Sequence, residues 1–412
     1  MPEKINAMIW GTPLITLILA SGIIYTVKLG FIQLRIIPFF AKHAKGHMSG
    51  PQFRTVCMSL GAAMGTGNIT GVASALSIGG AGSVFWMWVS AFLGMSTVYA
   101  ENSLSAQYSD NKAVGPMAYI KKGVGSEKLA LFYAFCCVLA CFGMGGMVQV
   151  NTASESIAVC FNVSPFILAA VTFIIIYFTV SGGAARIASA AQLLLPVSTI
   201  VYAVLCVWVI YRYNARLPYI FNQIIREAFG IKQAAGGFSG YMISKAVSAG
   251  IRRGVFSNEA GLGSSAILHS SAQSRSCAEL QGMSSMLEVF IDTIVCCTLT
   301  ALVILCASDD GTVRSALMHI TGTKTDFYLA VIMTVFALCT VIGWYYCGET
   351  AFRYIFRHTD VRIFAFAFSL AASFGALFKA EKIWTISDIF NGLMAFPNII
   401  AVLFLIKKVK KE

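Results

Sequence analysis

Residues 61–71 read GAAMGTGNITG and stand inside the apolar stretch 55–78, which is long enough to cross a membrane. Four of these eleven residues are glycine, and each glycine weakens a helix by about 1 kcal/mol relative to alanine. In hydrocarbon, unwound backbone is tolerated only where it faces protein or a water-filled cavity. The stretch therefore predicts a membrane helix that is interrupted in its middle.

The composition of the whole chain agrees with a membrane location. Of 412 residues, 57% are hydrophobic and 12% are charged, whereas a soluble domain has roughly 45–50% apolar and 25% charged residues. So much apolar sequence excludes an ordinary soluble enzyme and also a disordered chain. At about 20 apolar residues per spanning helix, the length allows about ten to twelve spans. The sequence predicts an all-α polytopic membrane protein.

Eleven apolar segments are predicted to span the membrane, which places the two termini on opposite sides. They cover approximately 8–30, 55–78, 82–105, 129–160, 165–181, 191–211, 219–250, 283–306, 327–348, 362–378 and 386–406. With the basic tail 407–412 in the cytoplasm, 21 of the 30 Lys and Arg residues lie inside, as the positive-inside rule requires. We therefore expect a multi-pass protein of the inner or plasma membrane, with its N-terminus outside and its C-terminus in the cytoplasm.

A second predicted span is also rich in glycine. Residues 236–240 read GGFSG, so Gly236, Gly237 and Ser239 are expected at a second interruption, with a break nearer Gly250 as the alternative. The two weak spans are five apart, and glycine-interrupted helices at matching positions in two halves point to a transporter's binding site. The expected parts are an N-terminal accessory helix with its loop (1–54), two five-helix repeats (55–218 and 219–406) and a basic tail (407–412).

The segment 61–71 allows more than one structure. The spacing of Gly61 from Gly65, and of Gly67 from Gly71, also suits close packing of helices, and both roles are compatible. A dinucleotide-binding loop is excluded, because it needs G-x-G-x-x-G after a strand. In a broken helix, the exposed amides attract a carboxylate, and the exposed carbonyl groups attract a hard cation or an ammonium. A zwitterion together with Na⁺ fits such an interruption.

Several longer stretches resemble one transporter family. Residues 59–103, 115–123 (GPMAYIKKG), 250–272, 289–305 and 340–349 (TVIGWYYCGE) are similar, in this order, to signatures of the alanine or glycine:cation symporter family. The resemblance implies a leucine-transporter-type fold, with ten core helices in a 5+5 inverted repeat and one extra N-terminal helix. It also implies Na⁺-coupled symport of alanine, glycine or both into the cell.

The resemblance implies roles for the residues of the first interruption. The substrate carboxylate would bind the amides of Thr66 and Gly67, and Gly65 would allow its close approach. Asn68 would offer its side-chain oxygen to the substrate or to the ion.

The resemblance also implies a Na⁺ site. It would consist of the carbonyl groups of Gly61 and Met64 and the hydroxyl of Thr340, because Na⁺ prefers hard oxygen ligands. Trp344 follows Thr340 by one helical turn on the same face, where it would form a wall of a small pocket. Anchoring at the lipid interface is the alternative role of Trp344.

Polar side chains within other spans add further candidates. Gln149 stands in an apolar helix, where an unpaired amide costs several kcal/mol, so we expect it in the pocket or in a hydrogen bond between helices. Acidic residues inside spans are expensive and usually functional. They are Glu101, Glu155, Glu288, Asp292 and Glu349.

Three of these acids receive specific expectations. Glu101 and Glu349 are predicted to pair with Arg353, Arg252 or Arg253 and to form an inner gate. Asp292 is a candidate for ion coupling or, alternatively, a paired structural acid. The segment 252–263 is expected to act as a gate or hinge rather than as a substrate site.

The function predicted from the sequence is secondary active transport. A proton-coupled amino-acid transporter is the alternative, and a channel is the alternative from another class, although no selectivity ring or continuous polar stripe is present. No HExxH, GxSxG or GxxxxGK[ST] motif occurs, so neither an enzyme nor a primary pump is expected. We expect no cofactor beyond Na⁺ as the coupling ion, no nucleic-acid partner and no obligate protein partner.

Overall fold

The computed structural model describes residues 2–43, 50–230, 238–270 and 278–409. Within these ranges every regular element is helical and no strand occurs, which confirms the all-α prediction. Seven helical stretches are long and apolar enough to cross a membrane, and Pro165–Val180 and Val361–Phe374 are shorter apolar helices. The count of eleven spans remains a prediction.

The chain is divided into eighteen helices in the described ranges. The first half contains α1 Pro2–Ile9, α2 Thr12–Lys28, α3 Ile36–His43, α4 Gly50–Ala63, α5 Val72–Gly79, α6 Gly82–Tyr108, α7 Gly115–Ala118, α8 Glu127–Phe161, α9 Pro165–Val180 and α10 Gly183–Arg212. The second half contains α11 Leu217–Ala228, α12 Phe238–Asn258, α13 Ser264–His269, α14 Ala278–Ala307, α15 Val313–Thr321, α16 Thr325–Ile355, α17 Val361–Phe374 and α18 Ala380–Phe404.

Several short segments depart from α-helical geometry. The π-helical turns are Gly67–Gly71, Tyr119–Val124, Cys141–Met147 within α8, and Phe290–Cys297 within α14. The 3₁₀ turns are Ile32–Arg35, Asn214–Arg216, Gly322–Lys324 and Ile406–Lys408. π-helical turns occur frequently at functional sites. The turn next to α4 contains Gly67 and Asn68, the turn in α14 contains Asp292, and the turn in α8 ends two residues before Gln149.

The helix interruption predicted from residues 61–71 is present. Helix α4 ends at Ala63, and helical structure resumes at Gly67. The amide of Gly65 donates to the carbonyl oxygen of Ala63 at 2.8 Å, and the amide of Ile69 donates to that of Thr66 at 3.1 Å. These short-range bonds replace the regular i to i−4 ladder, so residues 64–66 form a break between α4 and α5.

An interruption of a second helix lies further along the chain than residues 236–240, the predicted position. Helix α12 ends at Asn258 and α13 begins at Ser264, and φ is positive at Glu259 (57°), Gly261 (89°) and Gly263 (77°). A right-handed helix cannot continue through such conformations. Two glycines among these residues supply the required freedom at little cost.

The predicted seventh span, 219–250, is therefore wrong as a single helix. It covers α11 and the first part of α12, and the two helices are separated by a turn at Gly230, whose φ is 64°. Gly236 and Gly237 lie outside the described residues, and nothing is described of the side chain of Ser239. Gly250, the alternative position, lies inside α12.

Helices α4, α8 and α16 approach one another closely beside the first interruption. A Cβ atom on Gly343 of α16 would lie 2.6 Å from the Cβ atom of Ala62, and one on Gly145 of α8 would lie 2.3 Å from that of Trp344. Real Cβ contacts essentially never fall below 3.0 Å. Glycine at these two positions therefore brings α16 against α4 and α8, and this packing positions Thr340 and Trp344.

Candidate functional site

The first interruption contacts Gln149 of α8. The backbone amide of Thr66 donates to Gln149 Oε1 at 3.0 Å, and the Thr66 hydroxyl donates to the same atom at 2.9 Å. Gln149 Nε2 donates to the carbonyl oxygen of Met144 at 3.1 Å. Thr66 and Gln149 are both buried. One of the two amides predicted to bind a carboxylate, that of Thr66, thus already binds an oxygen atom, and a carboxylate oxygen can take the place of that amide oxygen.

Thr340 meets the interruption from α16. Its hydroxyl donates to the carbonyl oxygen of Gly61 at 3.1 Å. A Cβ atom on Gly65 would lie 2.4 Å from Thr340 Oγ1 and 2.8 Å from Gln149 Oε1. The structure therefore brings together Gly61, Gly65, Gln149 and Thr340, and the absence of a side chain at Gly65 is what makes this possible.

Met64 and Cys339 line the same region with apolar surface. Both are buried, and they belong to one hydrophobic cluster that also includes Leu195 and Cys296. The Met64 sulfur accepts a weak hydrogen bond from the Thr199 hydroxyl at 4.0 Å. The side chain of Met64 therefore lies in an apolar environment.

Asn68 and Asp292 form a second group of oxygen atoms, one helical turn beyond the break. Asn68 Nδ2 donates to Asp292 Oδ1 at 2.6 Å. The hydroxyl of Ser257 on α12 lies 3.1 Å from Asn68 Oδ1 and 2.7 Å from Asp292 Oδ2. The hydroxyl of Thr293 lies 2.8 Å from Asp292 Oδ2. All four side chains are buried, and they join the π-helical turns of α4–α5 and α14 to the end of α12.

Hard oxygen ligands are the donor set that Na⁺ requires. The Asn68 group supplies one carboxylate, one amide oxygen and two hydroxyls, and its hydroxyls can turn their lone pairs toward a cation. The Gly61 and Thr340 pair supplies a carbonyl and a hydroxyl. Both groups therefore fit a small hard cation, and the first also carries the compensating negative charge.

Trp344 is turned toward the second interruption. Its indole Nε1 donates to Glu259 Oε1 at 2.6 Å, and the hydroxyl of Ser264 donates to Glu259 Oε2 at 2.5 Å. Trp344 has no exposed surface, and Glu259 is buried. This burial places Trp344 in the interior rather than at the lipid interface, which was the alternative.

Glu259 is a site residue that sequence reasoning missed. The sequence contains a feature that could have indicated it. Glu259 is an acidic residue between apolar segments, and Gly261 and Gly263 follow it closely. From the sequence we expect segment 252–263 to act as a gate or hinge rather than as a substrate site. The structure places Glu259 within the second interruption, where its carboxylate accepts bonds from Trp344 and Ser264.

One side of the site is covered by aromatic rings and a buried ion pair. A Cβ atom on Gly67 would lie 3.2 Å from the ring of Phe256, whose centroid lies 4.6 Å from that of Trp384. The Arg253 guanidinium lies 4.5 Å from the Trp384 centroid and bonds Asp388 Oδ1 at 3.2 Å. Such stacking of a cation on an aromatic face is favourable. These contacts join α12 to α18 next to Gly67.

The predicted pairing of Arg252 with Glu101 or Glu349 is wrong. Arg252 Nε lies 3.8 Å from Asp388 Oδ2 instead. Asp388 and Asn398, which binds Glu101, are ten residues apart on α18, or about 15 Å at 1.5 Å per residue. Arg252 therefore belongs to the Phe256 side of the site, and Glu101 belongs to the opposite side.

On the opposite side of the site, Asn398 joins Glu101 to the second interruption. Asn398 Nδ2 donates to Glu101 Oε1 at 2.5 Å and to the carbonyl oxygen of Gly261 at 2.9 Å, and the Tyr119 hydroxyl donates to Asn398 Oδ1. Glu349 bonds Arg353 at 2.8 Å, one turn along its own helix. Glu101 is thus fixed to the second interruption, whereas Glu349 is not.

A further buried cluster lies on this same side. Glu288 on α14 bonds His269 Nε2 at 2.8 Å and accepts from the Ser59 hydroxyl at 2.7 Å. Ser59 belongs to α4 and His269 to α13. The cluster therefore joins α14 to the half-helices α4 and α13, each of which borders an interruption.

The sequence is similar to known transporters over its full length. Residues 1–412 match the family model described as "Sodium:alanine symporter family". "Sodium/alanine symporter AgcS" of Methanococcus maripaludis is 37% identical over 432 residues, which cover 98% of this chain and 94% of that relative. "Probable sodium/glutamine symporter GlnT" of Bacillus subtilis is 32% identical over 426 residues, which cover 98% of this chain and 87% of that relative.

The fold is also similar to a solved structure. A manganese transporter of Eremococcus coleocola superimposes with a TM-score of 0.55 over 86% of this chain and 76% of its own, at 13% sequence identity. At this identity the likeness concerns the fold alone.

Proposed function

The chain belongs to the sodium:alanine symporter family and is a Na⁺-coupled amino-acid transporter of the membrane, and we propose that its two helix interruptions bind the amino acid and the ion. The observation that carries the proposal is the bond of the Thr66 amide and hydroxyl to Gln149 Oε1, 3.0 and 2.9 Å long. These donors are free for a carboxylate once the Gln149 side chain moves. The relatives give no support to a channel or an enzyme.

The substrate carboxylate would replace Gln149 Oε1 at the amide of Thr66 and would also accept a bond from the amide of Gly67. Exposed amides at the start of a half-helix attract an anion. The ring of Phe256 lies so near Gly67 that little space remains for a substrate side chain, and Trp344 closes another wall. We therefore expect alanine or glycine as the transported amino acid.

Na⁺ would bind at the two oxygen groups of the site. Asn68, Asp292 and Ser257 would form one site, and the carbonyl groups of Gly61 and Met64 with the Thr340 hydroxyl would form the other. Each group joins an interrupted helix to a neighbouring helix. An ion that binds there stabilises the arrangement in which the substrate site is complete, and this differential binding is what couples the two fluxes.

Alternating access would follow from opening one side of the site at a time. Phe256 and the pairs of Arg252 and Arg253 with Asp388 would form the outer gate. The bonds of Asn398 and the Glu288 cluster would form the inner gate. Movement of one repeat against the other around a central site is the general mechanism of such transporters.

We propose that the N-terminus lies outside, the C-terminus lies in the cytoplasm, and segments 55–218 and 219–406 are inverted repeats. In this arrangement α12 lies on the outer side of the second interruption. Its basic residues Lys245, Arg252 and Arg253 are therefore no longer counted among the cytoplasmic Lys and Arg residues. The remaining bias still satisfies the positive-inside rule. A C-terminal alkaline phosphatase fusion should be inactive and a C-terminal fluorescent fusion bright, and the reverse result would invert the topology.

Uptake by proteoliposomes tests the coupling. Radiolabelled alanine should accumulate above its external concentration with an inward Na⁺ gradient, and it should not do so with an equal K⁺ gradient at constant pH. An inward proton gradient without Na⁺ should have no effect. Accumulation driven by protons alone would support the proton-coupled alternative, and flux that only equilibrates alanine would support a channel.

A further inference from the structure

A cavity away from the transport site opens at the C-terminal end of α16. Its volume is about 340 Å³, and it lies between the loop 109–114, the last turn of α16 and the segment that follows α16. Lys112, Arg353 and Arg357 line it, together with Thr350 and Tyr354. Three cationic side chains therefore surround one concave space.

The charge of this cavity is only partly compensated. Glu349 bonds Arg353 at 2.8 Å. Within the part of the chain that the structure describes, no acidic side chain lies within 4.0 Å of Lys112 or Arg357. The C-terminal end of α16 contributes about half a negative charge, which is less than these two cations carry. The cavity is therefore electropositive.

The nearest acids of the loop are already paired. Asp110 Oδ2 lies 2.7 Å from Lys122 Nζ, and Glu127 lies 2.5 Å from Lys121 Nζ. The hydrogen bond from Lys122 lowers the pKa of Asp110 to about 2, so this carboxylate stays charged and bound to Lys122 at neutral pH. Both acids thus form their ion pairs with other lysines and not with Lys112 or Arg357.

Tyr354 adds an unused donor. Its hydroxyl is buried and has no hydrogen-bond partner among the residues that the structure describes, although burial of a polar group without a partner is unfavourable. Thr350, by contrast, already donates to the carbonyl oxygen of Tyr346 at 2.8 Å. An anion that accepts a bond from Tyr354 would remove the cost of its burial.

We propose that this cavity binds a phosphate group. Guanidinium groups match phosphate oxygens in geometry and charge, and a phosphate accepts bonds from several donors at once. The transported zwitterion is a poor ligand here, because no acid among the described residues lines the cavity to bind an ammonium group. The proposal does not depend on the transported substrate, and the phosphate belongs either to an anionic lipid headgroup or to a soluble anion.

The location is consistent with both sources. Gln107, near the end of α6, bonds the carbonyl oxygen of Lys408 at 3.4 Å, so the basic tail begins on the same face of the molecule. Basic pockets between membrane helices on the cytoplasmic side bind lipid headgroups. A bound phosphate would join the loop 109–114 to α16, which also carries Thr340 and Trp344.

The test uses the purified full-length chain in neutral detergent. Native mass spectrometry measures retention of phosphatidylglycerol against phosphatidylcholine, and thermal unfolding measures stabilisation by inorganic phosphate against chloride at equal ionic strength. The Lys112→Gln, Arg357→Gln double variant should bind at least about tenfold less of the active ligand, because it removes two of the three charged donors that line the cavity. Tyr354→Phe should bind with intermediate strength.

The matched control carries Lys324→Gln and Lys382→Gln. Both are exposed cations, at the start of α16 and of α18, and their removal should change neither readout. Retention of phosphatidylglycerol alone identifies a lipid, and stabilisation by inorganic phosphate alone identifies a soluble anion. Binding of neither ligand above the level of the double variant, or an equal loss in the control, overturns the proposal. Alanine uptake by each variant verifies that the chain is folded.

Discussion

At the scale of single residues, Asp292 is the group whose charge matters most. It is the carboxylate of the Asn68 group, and its two oxygens accept bonds from Asn68, Ser257 and Thr293. A buried carboxylate is expensive unless a cation or several donors compensate it. Its place between three helices explains how an ion can act on more than one of them.

Asp292→Asn should remove most of the Na⁺ dependence of transport. The amide keeps the shape of the side chain but loses the charge, so the Na⁺ concentration for half-maximal uptake should rise by about tenfold or more. Uptake of labelled alanine against Na⁺ concentration measures this. Asp309→Asn is the control, since the Asp309 side chain is 84% exposed. An unchanged Na⁺ curve for Asp292→Asn would show that this acid is structural.

Thr340→Ala should also weaken Na⁺ binding, by about 10- to 150-fold, because it removes one oxygen ligand worth about 1.5–3 kcal/mol. The effect on protein abundance should be much smaller. Thr334→Ala is a control on the same helix, because the Thr334 hydroxyl bonds only the carbonyl oxygen of Ala330, at 2.6 Å. Equal loss of abundance and of Na⁺ affinity would indicate that Thr340 only packs the helices.

At the scale of helices, the two interruptions differ in how visible they are in the sequence. The first was predictable, because four glycines within residues 61–71 weaken the helix locally. The same criterion predicts a second interruption at residues 236–240, of which 236 and 237 lie outside the described residues, and the structure shows an interruption at 259–263. At 259–263 the helix ends because φ is positive at Glu259, Gly261 and Gly263. The number of glycines in a stretch does not predict these backbone conformations.

The partners of the gate residues were not predictable for a different reason. Arg252 and Asp388 are 136 positions apart in the sequence, and Glu101 and Asn398 are 297 apart. Which of these meet depends on the packing of α12, α6 and α18, and no local pattern contains that information. The meeting of Gly61 with Thr340 was expected only because of the family resemblance.

Gly261→Ala should impair transport through the conformation of the second interruption. Its φ of 89° costs a non-glycine residue about 1–2 kcal/mol, which corresponds to about a 5- to 30-fold loss of the competent state. Initial rates of alanine uptake measure this loss. Gly311→Ala imposes similar strain at φ 78°, in a loop with no atom within 4 Å of the new Cβ. Equal rates for the two variants would contradict a role for the second interruption in transport.

At the scale of the whole molecule, the site joins helices from both halves of the chain. The Asn68 group and the pair of Gly61 and Thr340 each connect the first interrupted helix to elements of the second half. Binding at such a junction stabilises the folded molecule as a whole. The all-α membrane fold itself was predictable, because it follows from apolar segments that must satisfy their backbone hydrogen bonds internally.

Alanine should therefore raise the thermal unfolding temperature only when Na⁺ is present. A ligand at 100 times its Kd adds about 2.7 kcal/mol to the stability of the folded state. Unfolding in detergent, followed by tryptophan fluorescence with Na⁺ or K⁺, measures this. Lysine in place of alanine is the control ligand and should have no effect. Equal stabilisation by alanine in K⁺ would show that the ion and the amino acid bind independently.

The most direct test of the central claim compares Gly65→Ala with Gly71→Ala in Na⁺-dependent binding of labelled alanine to purified, monodisperse protein. A new Cβ at Gly65 meets Thr340 Oγ1 at 2.4 Å and Gln149 Oε1 at 2.8 Å, whereas one at Gly71 meets only Trp384, at 3.9 Å. Overpacking at Gly65 costs about 1–3 kcal/mol, so its affinity for alanine should fall about 5- to 150-fold, and that of Gly71→Ala should stay near the wild-type value. A folded Gly65→Ala protein that binds alanine as tightly as the wild type would contradict the assignment of the substrate to the first interruption.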